Sequence, residues 1–155
     1  MRMIVTLIFA LLALPAFAQG GERYDNARFG YGVDIPPGFF VQDDSDNGDG
    51  RTYAARGKPT YLMVWGGQLT GDLEGEVAQR MDWDANEAWN ITEQTTTPRW
   101  AEWSALKGSR MVHQRMIALC DGASYAALRA EYSVTDATAM DGVVEQMARS
   151  LRGDC

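Results

Sequence analysis

Residues 100–134, WAEWSALKGSRMVHQRMIALCDGASYAALRAEYSV, hold the pattern from which the fold is read. Three apolar–polar stretches, Trp100 to Leu106, Arg110 to Leu119 and Ser124 to Val134, are separated by Lys107-Gly108-Ser109 and by Asp121-Gly122. Asp-Gly between alternating runs is a strong hairpin signal, because both residues tolerate the positive φ that a tight turn requires. The spacing predicts a three-stranded antiparallel meander. In its last strand Ala126, Leu128, Ala130 and Tyr132 share one face, and Tyr125, Arg129 and Glu131 the other.

Strand patterns also lie before the meander. Phe29, Tyr31, Val33 and Ile35 alternate with Gly30, Gly32 and Asp34 until Pro36-Pro37-Gly38 stops them. Phe39 to Val41 resumes briefly, Gln42 to Gly50 reads as a polar loop, and 51–56 with 60–65 form a hairpin around Gly57-Lys58-Pro59. Gly66 should break the second strand. The period then changes: Leu73, Val77, Met81, Ala85 and Ala88 predict a helix from an Asp72 cap to about Trp89. A Thr-rich connection, 92–98, leads into the meander. After it, Met140, Val143, Val144, Met147 and Leu151 mark a helix over 138–152 with Thr138 as its cap. Hairpin-joined strands with separate helices predict an α+β fold, an antiparallel sheet of about five to six strands flanked by two helices.

The N-terminus carries an address. Arg2, the apolar run Ile4 to Leu14 and an Ala16-Phe17-Ala18 site predict a signal peptide over 1–18, cut between Ala18 and Gln19. Residues 19–27 read as a flexible leader and 28–155 as a single globular domain. The expected location is periplasmic or secreted. No later stretch is apolar for the roughly 20 residues that a membrane-spanning helix needs. Removing Arg2 leaves 13 basic residues against 21 acidic ones, a net charge of −8. That charge repels phosphate backbones and anionic headgroups, so nucleic acid is not an expected partner.

Export also changes what Cys120 and Cys155, the two cysteines, should mean. Their spacing is wrong for a CxxC redox pair, and a disulfide is the first reading, closing about 36 residues with at most about 4 kcal/mol of chain-entropy stabilisation. Free or intermolecular thiols and metal ligation are the alternatives. The run Asp43 to Gly50 is rich in oxygen ligands, but Ala54 stands where an EF-hand would close with Glu, so a solvated turn is the simpler reading. His113 is the sole histidine, which excludes multi-histidine zinc sites and leaves one candidate base for nucleophilic catalysis. No nucleotide, metal or cofactor motif occurs, and no cofactor is expected.

Two other sets of residues bear on function. Asp82, Asp84 and Glu87 could supply paired carboxylates for a cell-envelope hydrolase, although a solvated helix face explains them more simply. Of the five tryptophans, Trp65, Trp100 and Trp103 are the candidate ligand-binding residues, since flat aromatics stack on sugars, aromatic ligands or partner side chains. Trp100 and Trp103 have opposite parity, so a regular strand cannot present both on one face.

The stretch Asn26 to Pro36, NARFGYGVDIP, followed by Asn47-Gly48-Asp49-Gly50-Arg51, resembles a group of small exported bacterial proteins of unassigned function. The order of elements is similar to the PsbP-like fold, an antiparallel sheet flanked by helices. That resemblance brings no catalytic residues and implies a binding or assembly role. The leading expectation is therefore an exported, non-catalytic protein that binds a protein partner or small ligand. A hydrolase using Asp82 and Glu87, or a structural envelope protein, are the alternatives.

Overall fold

The structure, a computed structural model, describes residues 21–155; the signal segment and the Ala18–Gln19 cut lie outside the described residues. Ten strands and two helices follow in the order β1 (Glu22–Asn26), β2 (Tyr31–Ile35), β3 (Phe39–Asp44), β4 (Gly50–Ala55), β5 (Tyr61–Gln68), α1 (Leu73–Asn86), β6 (Asn90–Thr96), β7 (Trp100–Lys107), β8 (Arg110–Ala118), β9 (Ser124–Ser133), α2 (Ala137–Ser150) and β10 (Arg152–Gly153). A seven-stranded sheet runs β3-β4-β5-β9-β8-β7-β6, and a three-stranded sheet runs β1-β2-β10. Every pairing is antiparallel.

The meander sits at the centre, as its turns predict. Asp121 organises the β8–β9 turn: its Oδ1 accepts from the backbone N–H groups of Ala123 and Ser124, and its Oδ2 from the Ser124 hydroxyl. Central position covers both faces of β9. Leu128, Ala130 and Tyr132 pack with Met140, Val144 and Met147 of α2 and with Tyr31, Val33 and Ile35 of β2. On the other face Tyr125 and Ala127 join Leu73 and Val77 of α1, Trp103 and Met116.

The strand count exceeds five to six, for identifiable reasons. Residues 22–26, expected as leader, pair with β2 from Glu22↔Ile35 to Asn26↔Tyr31. The Thr-rich connection is β6, an edge strand whose mostly exposed side chains leave no alternation to read. Gly66 and Gly67 do not break β5; they are close-approach positions. A Cβ on Gly66 would lie 2.7 Å from the Phe29 ring, and one on Gly67 2.5 Å from the Tyr125 hydroxyl. Helix α1 stops at Asn86, short of Trp89, because Ala88 takes a left-handed φ of 66°. Asp72 caps α1 by accepting the Gly75 N–H at 2.8 Å. Helix α2 starts after a 3-10 turn with Asp136, not Thr138, at its N-cap position, and no side chain bonds there.

The acidic 43–50 run closes on itself. Ser45 Oγ accepts from the N–H groups of Asp49 and Gly50 at 2.9 and 3.1 Å, and Gly48 takes a φ of 72°. Cys120 and Cys155 are bonded, with Cα atoms 6.0 Å apart, and join the β8–β9 turn to the tail that follows β10. Among the described residues no helix is long and apolar enough to cross a membrane.

Candidate functional site

Helix α2 covers β2 and β9 but leaves the β6–β8 end of the large sheet open on the same face. Strand pairing decides what that face shows. The β7–β8 register sets Glu102 opposite Arg115, Ser104 opposite His113 and Leu106 opposite Met111. Across the gap α2 presents Asp141, Val144, Glu145 and Ala148, spaced i, i+3, i+4, i+7 and hence on one helical face. Together they bound a cleft of about 450 Å³.

Its floor combines Met111, Tyr132, Val144 and Ala148 with buried polar groups. His113 Nδ1 lies 3.1 Å from Ser104 Oγ. His113 Nε2 and Arg115 Nε are both buried without a hydrogen-bond partner. A buried polar group left unpaired costs about 1–3 kcal/mol, and both nitrogens belong to residues that line the cleft. Whichever imidazole nitrogen carries the proton, one ring position is free for a ligand.

The rim is acidic. Arg115 donates to Glu102 and stacks over Trp100, its guanidinium carbon 5.0 Å from the ring centre, while Arg149 pairs with Glu145 at 2.7 Å. Glu93 and Asp141 also line the cleft and have no ion-pair partner among the described residues. Four carboxylates thus face two guanidinium groups.

The three candidate tryptophans are not brought together. Trp100 lies at the β7 end beside Arg115, on the cleft's side of the sheet. Trp103 is 1% exposed and packs under α1, where its Nε1 donates to Asp84 Oδ2 at 2.8 Å. Trp65 is half-buried on that α1 face. The carboxylates divide too. Asp84, expected on a solvated face, is buried and pairs with Arg129 at 2.9 Å. Asp82 and Glu87 line separate depressions on opposite flanks of α1, so the pair proposed for glycoside hydrolysis is not assembled. Among the described residues no group of three His, Cys, Asp or Glu side chains could hold a metal ion.

Among solved structures the chain is similar to cyanobacterial PsbP (CyanoP) from Synechocystis, at 13% identity over 90% of this chain and 95% of that one, with a TM-score of 0.66. The fold is PsbP-like. The Saccharomyces cerevisiae Ran-binding protein Mog1p shares it at 11% identity, over 87% of this chain and 96% of that one, with a TM-score of 0.62. LpqN, involved in cell envelope biogenesis of Mycobacterium tuberculosis, shares it at 15% identity, over 84% and 88%, with a TM-score of 0.53. No family model and no curated protein matches the chain. At such identities the PsbP-like likeness concerns the backbone, and the side chains of the cleft are this chain's own.

Burial pushes the His113 imidazole below its ordinary value of 6.5; Glu102 opposes this and Arg115 reinforces it, while Glu93 and Asp141 act in the same sense as Glu102. The neutral ring is therefore favoured in the folded cleft. A lowered folded pKa gives a contribution present above 6.5 and lost as pH falls toward the folded value, because the unfolded chain takes up the proton first. Melting temperature should drop across that window, and His113→Gln should flatten this part of the profile. An unchanged slope in the variant would remove His113 as its cause.

Proposed function

We propose that the protein is an exported binding or assembly protein, periplasmic or secreted, whose cleft between α2 and the sheet receives a basic side chain of a partner protein. The observation that carries this is the pair of unpartnered buried nitrogens, His113 Nε2 and Arg115 Nε, beneath two unpaired carboxylates, Glu93 and Asp141. A lysine segment matches each part. Its ammonium would meet Glu93 and Asp141, its methylene stem would lie on Met111, Tyr132 and Val144, and its backbone carbonyls would accept from the floor. Mixed polar and apolar demand of this kind favours a peptide over a simple cation.

Export is supported by the signal read at 1–18 and by the Cys120–Cys155 disulfide, which suits an oxidising compartment. The mature chain acts as one domain in this reading, beginning with β1 rather than at residue 28. The PsbP-like neighbours include a Ran-binding protein and a protein of cell envelope biogenesis, both consistent with work through partners.

Short acetylated and amidated peptides, Ala-Lys-Ala-Lys and Ala-Glu-Ala-Glu, titrated into the mature protein by calorimetry, provide the test. The lysine peptide should bind, the glutamate peptide should not, and Glu93→Gln with Asp141→Asn should weaken the lysine peptide about tenfold, the loss of one to two charge-assisted contacts. Equal binding of both peptides, or an unaffected double variant, would overturn the assignment.

A further inference from the structure

The opposite face of the sheet holds a second depression, separate from the cleft. Between α1 and strands β5, β8 and β9 lies a depression of about 240 Å³ flanked by Trp65 and Trp83. Arg80 sits between them, its guanidinium carbon 5.4 Å from each indole centre and 5.3 Å from the Tyr125 ring. It is held there by Glu76, which accepts from Nε at 2.9 Å, and by the Tyr125 hydroxyl, which accepts from Nη2. Trp83 is 49% exposed, a cost in apolar surface that a helix position does not require.

Both guanidinium groups of this depression are matched internally. Arg129 pairs with Asp84 at 2.9 Å and with Glu131 at 2.8 Å, and Arg80 with Glu76. An anionic ligand would have to displace one of these pairs, whereas a neutral ligand displaces none, and Glu87, which has no ion-pair partner among the described residues, stays free to accept from hydroxyl groups. Donors and acceptors remain for it. Gln114, 2% exposed, lines the depression and gives its Oε1 to Arg129, which leaves the amide nitrogen for a ligand; Glu87 and Glu131 add acceptors and Arg80 keeps Nη1. Planar aromatic faces beside interleaved, pre-oriented donors and acceptors match one chemical class, a polyhydroxylated ring with an apolar C–H face.

We propose that the Trp65–Trp83 depression binds a neutral sugar unit of a glycan, its ring stacked on an indole and its vicinal hydroxyls bridging Gln114, Arg80 and Glu87. The small volume fits a single ring with the rest of the glycan extending over α1.

Triacetylchitotriose, cellotriose, maltotriose and the protonated glucosamine trimer are the probes, titrated into the mature protein while its indole N–H signals are followed by NMR. At least one neutral trisaccharide should move the signals of Trp65 and Trp83 and leave that of Trp100 in place. Trp83→Ala should weaken that binding about tenfold, the upper range of one aromatic contact, and Trp100→Ala should not. Trp83 is exposed, so its loss should leave the fold intact, which the remaining indole signals verify. If no neutral trisaccharide moves those two signals, if Trp83→Ala binds as the parent does, or if the glucosamine trimer binds more tightly than its neutral counterpart, the proposal fails.

Discussion

Trp103→Ala should lower the unfolding free energy by about 3–5 kcal/mol, the cost of emptying a large aromatic site in a packed core. Trp103 is 1% exposed, enclosed by α1, β8 and β9 within the cluster that includes Leu73, Val77 and Met116. Its indole N–H also satisfies Asp84, whose carboxylate is buried and further held by Arg129. Against a total stability of roughly 5–15 kcal/mol for a domain, this single change takes a large share. Trp103→Phe keeps much of the volume but removes the hydrogen bond to a buried carboxylate, so a loss of about 1–3 kcal/mol is expected. Trp83→Ala, on the exposed side of α1, should stay within about 0.5 kcal/mol of the parent. Urea unfolding of the three variants checks the order. Equal losses for Trp103→Ala and Trp83→Ala would contradict the placement of Trp103 in the core.

Loss of the disulfide is the second large effect. Cys120→Ser with Cys155→Ser should cost about 2–4 kcal/mol, because the unfolded chain regains the freedom that a 35-residue separation had removed. The folded state has its own stake. The bond pins the tail in which Arg152 pairs with Gly32 and Gly153 with Tyr31, directly after Leu151 has closed the core at the end of α2. Without it, amide exchange should rise first at Gly153 and Asp154, whose N–H reaches Gly30 O at 2.9 Å, and later within α2. Identical urea midpoints for parent and double variant would refute the stabilising role. Uptake of two alkyl groups by the unreduced mature protein would refute the bond itself.

The meander was legible because its turns carry their own chemistry. Gly108 and Gly122 take φ values of 58° and 67°, and Asp121 ties its turn with three hydrogen bonds, so 100–134 announces its hairpins locally. Strands β6 and β10 were not legible: β6 is a polar edge whose exposed side chains show no alternation although it pairs with the adjacent β7, and β10 is two residues long and owes its conformation to β2, far along the chain. Helix α1 misled for a different reason. Periodicity assigned Asp84 to water, but Trp103 and Arg129 from the sheet reach it and draw it inside.

The cleft lies between these cases. No motif marks it, yet the turn at Gly108 pairs Lys107 with Arg110 and thereby sets Ser104 opposite His113 and Glu102 opposite Arg115. Extending the hairpin register across the sheet would have found half of the site. The other half, Asp141 and Glu145, depends on where α2 docks, and only the tertiary fold supplies that. Trp100 and Trp103 lie on opposite faces of the sheet, as their parity along β7 requires.

The most direct test of the proposed peptide binding at the cleft uses the chain's single histidine. With histidine labelled by nitrogen-15, the mature protein has one imidazole signal set, and it reports on the cleft floor. Titration with the Ala-Lys-Ala-Lys peptide should shift that set saturably, and Glu93→Gln with Asp141→Asn should suppress the shift. Lysine-peptide binding that leaves the imidazole unmoved, or an equal shift with Ala-Glu-Ala-Glu, would contradict the account.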